Sequence, residues 1–176
     1  FGFLNNNNSP TIWRGPMVAR MTQQFFDNVE WGELDYLILD LPPGTGDIQL
    51  TLVQKIALSG SIIITTPQDL AHKDVQKGSD MFKKVNTPLI GVIENMTDFM
   101  CPHCDNITKI YPGAGGAEES SRLNVPLLGK IPLHPEITQS TDNGRPYVIK
   151  HKKSTITDEY NQIASQIIGT SIVNIA

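Results

Sequence analysis

Cysteine is nearly absent from this chain: its 176 residues include two, Cys101 and Cys104. Two thiols exclude a disulfide-stapled scaffold. With no secretory signal visible, they point to a reducing compartment, the cytoplasm. Dense basic charge is also missing. Fourteen Lys and Arg against eighteen Asp and Glu give a formal net charge of -4, which speaks against a nucleic-acid partner. The run from Tyr147 to Lys153 holds Lys150, Lys152 and Lys153 and reads as a short solvated stretch. No apolar segment approaches the roughly 20 residues that cross a bilayer, so no membrane partner is expected. An initiator Met is lacking as well. Phe1-Gly2-Phe3-Leu4 runs directly into Asn5 to Asn8, as in a fragment whose N-terminal part lies elsewhere, with residues 1–12 forming a surface loop.

What is present is an ordinary globular composition, 39% hydrophobic and 18% charged, in a length that suits one domain with a real core. Helical and strand-like segments alternate. Val18, Met21, Phe25 and Val29 recur at helical spacing, and Pro16 suits a first helical turn, where its missing N–H is no loss. Tyr36-Leu37-Ile38-Leu39 is a continuous apolar run that predicts a strand buried on both faces. Ser61 to Thr65, Leu89 to Ile93 and Leu127 to Ile131 predict three more. Helices are expected from Asp47 to Ala57 and from Asp69 onward, the latter with Ala71, Val75, Phe82 and Val85 on one face. A last helix presents Ile156, Tyr160, Ile163 and Ile167 to the core. Strands separated by helices predict an α/β fold of three layers, a mostly parallel sheet flanked by helices. Residues 13–176 read as one domain with an inserted cysteine-bearing loop at 97–112.

Ligands of such sheets collect outside the carboxyl ends of the strands. The first expected strand ends in Asp40-Leu41-Pro42-Pro43-Gly44-Thr45-Gly46-Asp47, the second in Thr66-Pro67-Gln68-Asp69. The third ends in Glu94-Asn95-Met96 and the fourth in Pro132-Leu133-His134-Pro135. A carboxylate closing a buried strand ahead of two glycines is the arrangement of a Walker B acid. Asp40 would orient Mg²⁺ or its waters, while Gly44 and Gly46, lacking Cβ, let the backbone approach a γ-phosphate. An ordinary turn Asp is the plain alternative, but the PPGTGD that follows is far more specific than a lone Asp. Asp47 and Asp69 read as helix N-caps. The Asn95 carboxamide offers a donor and an acceptor together, which matches an adenine edge, and a structural Asn in a turn stands beside that reading.

Cys101-Pro102-His103-Cys104 is half a site. Two thiolates three positions apart grip one metal or cluster edge, whereas zinc and iron–sulfur centres usually take four protein ligands. A second copy could supply the other two thiolates, to an iron–sulfur cluster or to zinc, or other side chains could complete the set. The third option is a redox dithiol, which expects the first Cys at a helix N-terminus after a strand. Met100 and Pro102 read as loop and Ile107 to Tyr111 as a short hairpin return, so a metal is favoured. His103 shares the loop and reads as solvent-exposed.

Taken together, Trp13-Arg14-Gly15-Pro16, the Asp40 to Asp47 loop, Thr66-Pro67-Gln68, Gly91 to Met96, Cys101 to Cys104, Gly115-Gly116 and Gly129 to Leu133 resemble the Mrp/ApbC proteins. These are iron–sulfur cluster carriers among the deviant-Walker P-loop ATPases related to MinD and ParA. The resemblance runs from about Trp13 to Pro146. It implies a P-loop NTPase fold and an ATP-dependent homodimer that holds a [4Fe-4S] cluster at its interface and passes it to apo iron–sulfur proteins. It also implies that Asp40 is the Mg²⁺-associated acid, that Asn95 and the segment after Ile131, at Pro132, contact the adenine, and that Cys101 and Cys104 ligate the cluster. The family's Walker A loop is not found in this sequence. Gly129-Lys130 is followed by Ile131 instead of Ser or Thr, and Gly78 lies within a helix, so neither is a P-loop. The 176-residue chain alone is therefore expected not to bind or hydrolyse ATP with normal competence. A MinD/ParA-like positioning ATPase is the second function class. Such a switch has no need of CPHC, and a membrane-targeted one would end in a basic amphipathic helix, unlike the nearly uncharged segment from Thr155 to Ala176.

Overall fold

The computed structural model describes residues 15–41, 46–101, 103–104 and 106–173. These fall into two compact units, Phe1–Ala57 and Leu58–Ala176. The loop expected at residues 1–12 and Gly44 lie outside the described residues.

In the first unit, helix α1 (Gly15–Asn28) half-buries Met21 and Phe25 as expected, but Val29, expected on the same face, falls past the helix end and is exposed. Helix α2 (Asp47–Lys55) packs against it and buries Leu52 and Val53. Phe26 lies 6.3 Å from Trp31, ring to ring. Two expectations are corrected here. The N-cap of α2 is Gly46, and Asp47 is the first helical residue. Tyr36 to Leu39 form no strand: Tyr36, Leu37 and Ile38 are exposed, Ile38 at 88%. A parallel strand satisfies its N–H and C=O groups only through neighbours, and the described residues of the first unit hold no other strand to pair with it. The apolar run records a preference for burial; the ladder that would bury it is a separate requirement.

The second unit is built on strand β2 (Leu89–Met100), which pairs with all the other described strands. Strands β1 (Ser61–Thr65) and β4 (Leu127–Leu133) run parallel to it, while β3 (Ile107–Thr108) is antiparallel. Helices α3 (Asp69–Lys84) and α4 (Gly115–Leu123) pack on β1 and β2, and α7 (Thr155–Val173) packs on β4. The short helices α5 (Pro135–Asp142) and α6 (Tyr147–Lys150) lead into α7. Ile90, Leu128, Ile131 and Ile163 form a buried cluster, with Ile62, Tyr160 and Ile167 packed around it. The face expected for α7 is the face observed. Each such aliphatic side chain contributes about 1.5–3 kcal/mol by leaving water. Gly129 lets α7 approach closely, because a Cβ there would lie 2.5 Å from Ile163 Cγ1.

Three further corrections concern this unit. Strand β1 is not buried on both faces, since it pairs with β2 alone and Ile64 stands exposed. On α3, Phe82 is buried as expected, but Ala71, Val75 and Val85 are half-buried, and His72, Ser79 and Met81 go deeper. Its N-cap is Gln68, with Asp69 in the first turn, where a carboxylate favours the helix dipole. Finally, the stretch from Tyr147 to Lys153 is not wholly solvated: Tyr147 is buried and stacks on His151 at 4.5 Å.

Candidate functional site

Strand β2 does not stop where the apolar run stops. It runs for twelve residues in all, from Leu89 to Met100, and turns back through β3, with Phe99 opposite Thr108 and Met100 opposite Ile107. The Cys101 N–H donates to the Asn106 carbonyl at 3.0 Å and closes the turn. The cysteines therefore sit at the tip of a β-hairpin arm, and Met100, expected in the loop, is the last residue of its first strand. Both thiols are free, with Cys101 half-buried and Cys104 exposed. The Cys101 thiol is pulled below its ordinary value by hydrogen bonds from the His103 backbone, the Cys104 side chain and the Cys104 backbone, against a smaller opposing effect of burial. It is the thiolate that binds metals. His103 is exposed, as expected. Among the described residues no group of three or more His, Cys, Asp or Glu is placed to hold a metal ion. The tip thus offers two thiols and an open side. Met100, Ile107 and Ile110 leave apolar surface exposed nearby.

Lower on the same strand, Asn95 lies opposite Ile131 of β4, next to Pro132. The pairing shifts between Asn95 and Phe99, where β2 carries extra residues. Within this bulge Met96 adopts a left-handed conformation at φ 57, a strained geometry for a residue with a Cβ. Its N–H donates to Asn95 Oδ1 at 2.9 Å, and the Thr97 hydroxyl reaches the Ile131 carbonyl at 3.4 Å. Asn95 and Pro132 are half-buried and adjacent, so these two expected base-contacting residues do meet on one sheet edge. Asp40 and Gly46 belong to the first unit, where both are exposed.

A second set of charged groups escaped the sequence reading. Glu119 of α4 is fully buried. Its carboxylate accepts from Ser79 Oγ at 2.5 Å, from Arg122 Nε and Nη2 at 2.8 Å each, and meets His72 Nε2 at 3.1 Å. Arg122 also bridges to Asp80 at 2.8 Å, and His72 Nδ1 lies 3.4 Å from Glu118. Burial alone would raise the Glu119 carboxyl; hydrogen bonds from Arg122, Ser79 and His72 outweigh it and bring the group down to about 2. This cluster ties α3 to α4. Glu94 was also missed, although a carboxylate in the middle of an apolar strand signals a buried partner.

A mixed, mostly parallel sheet flanked by helices is an α/β fold, here bearing a two-thiol arm, and the solved structures it resembles are of the P-loop NTPase type. A family model described as ParA, the NUBPL iron-transfer P-loop NTPase, matches residues 1–168, and the chain belongs to that family. It is 42% identical over 167 residues to an iron-sulfur cluster transfer protein NUBPL from Dictyostelium discoideum, a match covering 95% of this chain and 52% of that protein. It is 45% identical over 162 residues to an iron-sulfur cluster carrier protein from Pseudomonas fragi, covering 92% of this chain and 56% of that one. The chain thus spans about half the length of the curated relatives it matches. Among solved structures, a nucleotide-binding protein from Archaeoglobus fulgidus in complex with ADP superposes with TM-score 0.65 at 36% identity, over 73% of this chain and 53% of that one. MinD from Pyrococcus horikoshii, complexed with Mg-ADP, gives TM-score 0.64 at 19% identity, over 92% and 59%. That likeness concerns the fold alone.

Proposed function

We propose that this chain is part of an ATP-dependent iron–sulfur cluster carrier, in which Cys101 and Cys104 join the same pair from a second copy to hold one [4Fe-4S] cluster as cargo for apo-proteins. The observation that carries this reading is the arm itself. It presents two thiols, one of them biased toward thiolate, at an exposed tip with no third ligand grouped nearby among the described residues. Four thiolates from two tips complete the usual ligand set of such a cluster. Relatives named as carriers or transfer proteins support the cargo. In the same reading Asp40 is the Mg²⁺-associated acid, and Asn95 with Pro132 lines the adenine side of a nucleotide site. Free thiols suit a reducing compartment such as the cytoplasm. A bound cluster would supply a unit released by thiolate exchange; the chain supplies the ligands, their protonation state and their spacing.

Anaerobic reconstitution with iron and sulfide tests the proposal, read by visible charge-transfer absorption and by iron and zinc content per mole of dimer. One cluster per dimer, lost in Cys101→Ala, is expected. A cluster unchanged in that variant, or one formed on a monomer, overturns it.

A further inference from the structure

The hairpin arm extends past Phe99, the last residue of β2 paired with β4, and the chain returns to the sheet at the start of α4. How that return is fastened follows from an unusual helix start. The N-cap of α4 is Ala114, which has no side-chain acceptor to offer the first amides of the helix. The acceptor comes from elsewhere: Glu94 Oε2 takes the Gly116 N–H at 2.7 Å across 22 residues of sequence. Glu94 is 3% exposed, and its Oε1 lies 3.6 Å from Nζ of Lys130, its register partner on β4. A carboxylate receiving a helix N-terminal amide is a charge-assisted bond aligned with the helix dipole.

The glycines show how tightly the return leg is seated. A Cβ at Gly116 would lie 2.6 Å from Glu94 Cβ, and one at Gly115 would lie 2.7 Å from the Thr66 carbonyl oxygen. At Gly113, where φ is +155, a Cβ would overlap the Pro67 carbonyl oxygen. The leg therefore lies backbone against backbone on the loop after β1, with Glu94 on its other side. An excursion of this length closed by nothing would leave its tip loosely placed.

We propose that Glu94 is the positioning residue of the cysteine arm: by capping α4 from the central strand it clamps the return leg and fixes the two thiols relative to the Asn95 edge. This rests on reading Cys101 and Cys104 as metal ligands. Two hairpin tips share four thiolates only if each presents its pair at a reproducible height and angle, so the clamp contributes to metal affinity without touching the metal. The acceptor oxygen makes the clamp, and its charge strengthens it.

The test compares Glu94→Met, which removes the acceptor, with Glu94→Gln, which keeps one. The 176-residue chain is titrated with Co²⁺, read by thiolate-to-cobalt absorption, and the alkylation rate of Cys101 is followed alongside thermal melting. Glu94→Met is expected to weaken Co²⁺ binding about tenfold, as loss of an outer-shell support typically does, and to speed alkylation of Cys101. Glu94→Gln, which keeps an acceptor and loses the charge, is expected to fall between the parent and the Met variant. Unchanged affinity and alkylation in the Met variant overturns the proposal, and so does a Gln variant as impaired as Met. Should the Met variant fail to fold, hydrogen exchange on the unaltered chain decides. The Gly116 amide must then exchange more slowly than those of His103 and Cys104, and equal rates refute the clamp. A failed cluster reconstitution would instead count against the carrier reading and leave these outcomes standing.

Discussion

The Glu119 network and the cysteine tip are both clusters of ionisable chemistry in the second unit, built on opposite terms. Around Glu119 the valences are filled: Ser79, Arg122 and His72 converge on one carboxylate, and Asp80 takes the remaining side of Arg122. At the tip, the Cys101 thiol receives hydrogen bonds that favour its charged form, and no third ligand is grouped with the pair among the described residues. A buried charge must have its partners within the chain, because water is not there to supply them. An exposed thiol has no such obligation and can leave a valence for another molecule. The first arrangement therefore holds the fold, while the second offers chemistry.

That contrast is open to attack in several ways. Removing one member of the saturated cluster should do the most damage. Glu119→Ala strands Arg122, Ser79 and His72 and is expected to cost about 3 kcal/mol in urea unfolding; a loss below about 0.5 kcal/mol would mean the network is ornamental. The same group gives a pH signature. Its carboxyl is held at about 2 instead of 4.5, so the folded state binds fewer protons than the unfolded one. Its contribution is complete above pH 4.5 and drains away as the pH falls toward about 2. Glu119→Gln should flatten that part of an acid-melting curve, and an unchanged curve would assign acid lability to other carboxylates. Next comes the seat of the arm. Gly113→Ala forces a Cβ into the Pro67 carbonyl, with an expected loss of about 2 kcal/mol by overpacking. Smaller still, Met96→Gly relieves a left-handed residue and should change stability by no more than about 1 kcal/mol, in the stabilising direction. At the bottom of the scale Cys104→Ser, on the exposed tip, is expected within about 0.5 kcal/mol of the parent in melting experiments while abolishing metal binding. A large stability loss there would erase the distinction.

The sequence disclosed patterns better than closures. Ile156, Tyr160, Ile163 and Ile167 repeat at helical spacing, and that face is the one found against the core. CPHC stands out in the sequence because it holds both cysteines of the chain, and what the sequence leaves open, its place at the tip of a hairpin, comes from the β2–β3 pairing. Asn95 and Pro132 fell on one edge because parallel strands place their ends together. Tyr36 to Leu39 misled for the converse reason: apolarity in one segment says nothing of the neighbour a strand requires. Asp47 and Asp69 read in sequence as caps, yet the caps are Gly46 and Gln68, a one-residue shift that composition cannot resolve. The Glu119 cluster joins residues up to 47 positions apart, and α4 begins with two glycines after an alanine, which no helix-start signal describes. Both depend on partners distant in sequence, and only the folded chain reveals them.

The length of β2 carries one more consequence. Asn95 and Cys101 are six residues apart on a strand and its immediate continuation. At about 3.3 Å per residue Asn95 and Cys101 stand roughly 20 Å apart, less whatever the bulge takes up. Mobile ions in physiological salt damp an electric field over about 8 Å, so a charge placed at one end is nearly invisible at the other. Any influence of one end on the other therefore has to pass through the backbone between them, where the left-handed Met96 and the bulge interrupt the pairing with β4.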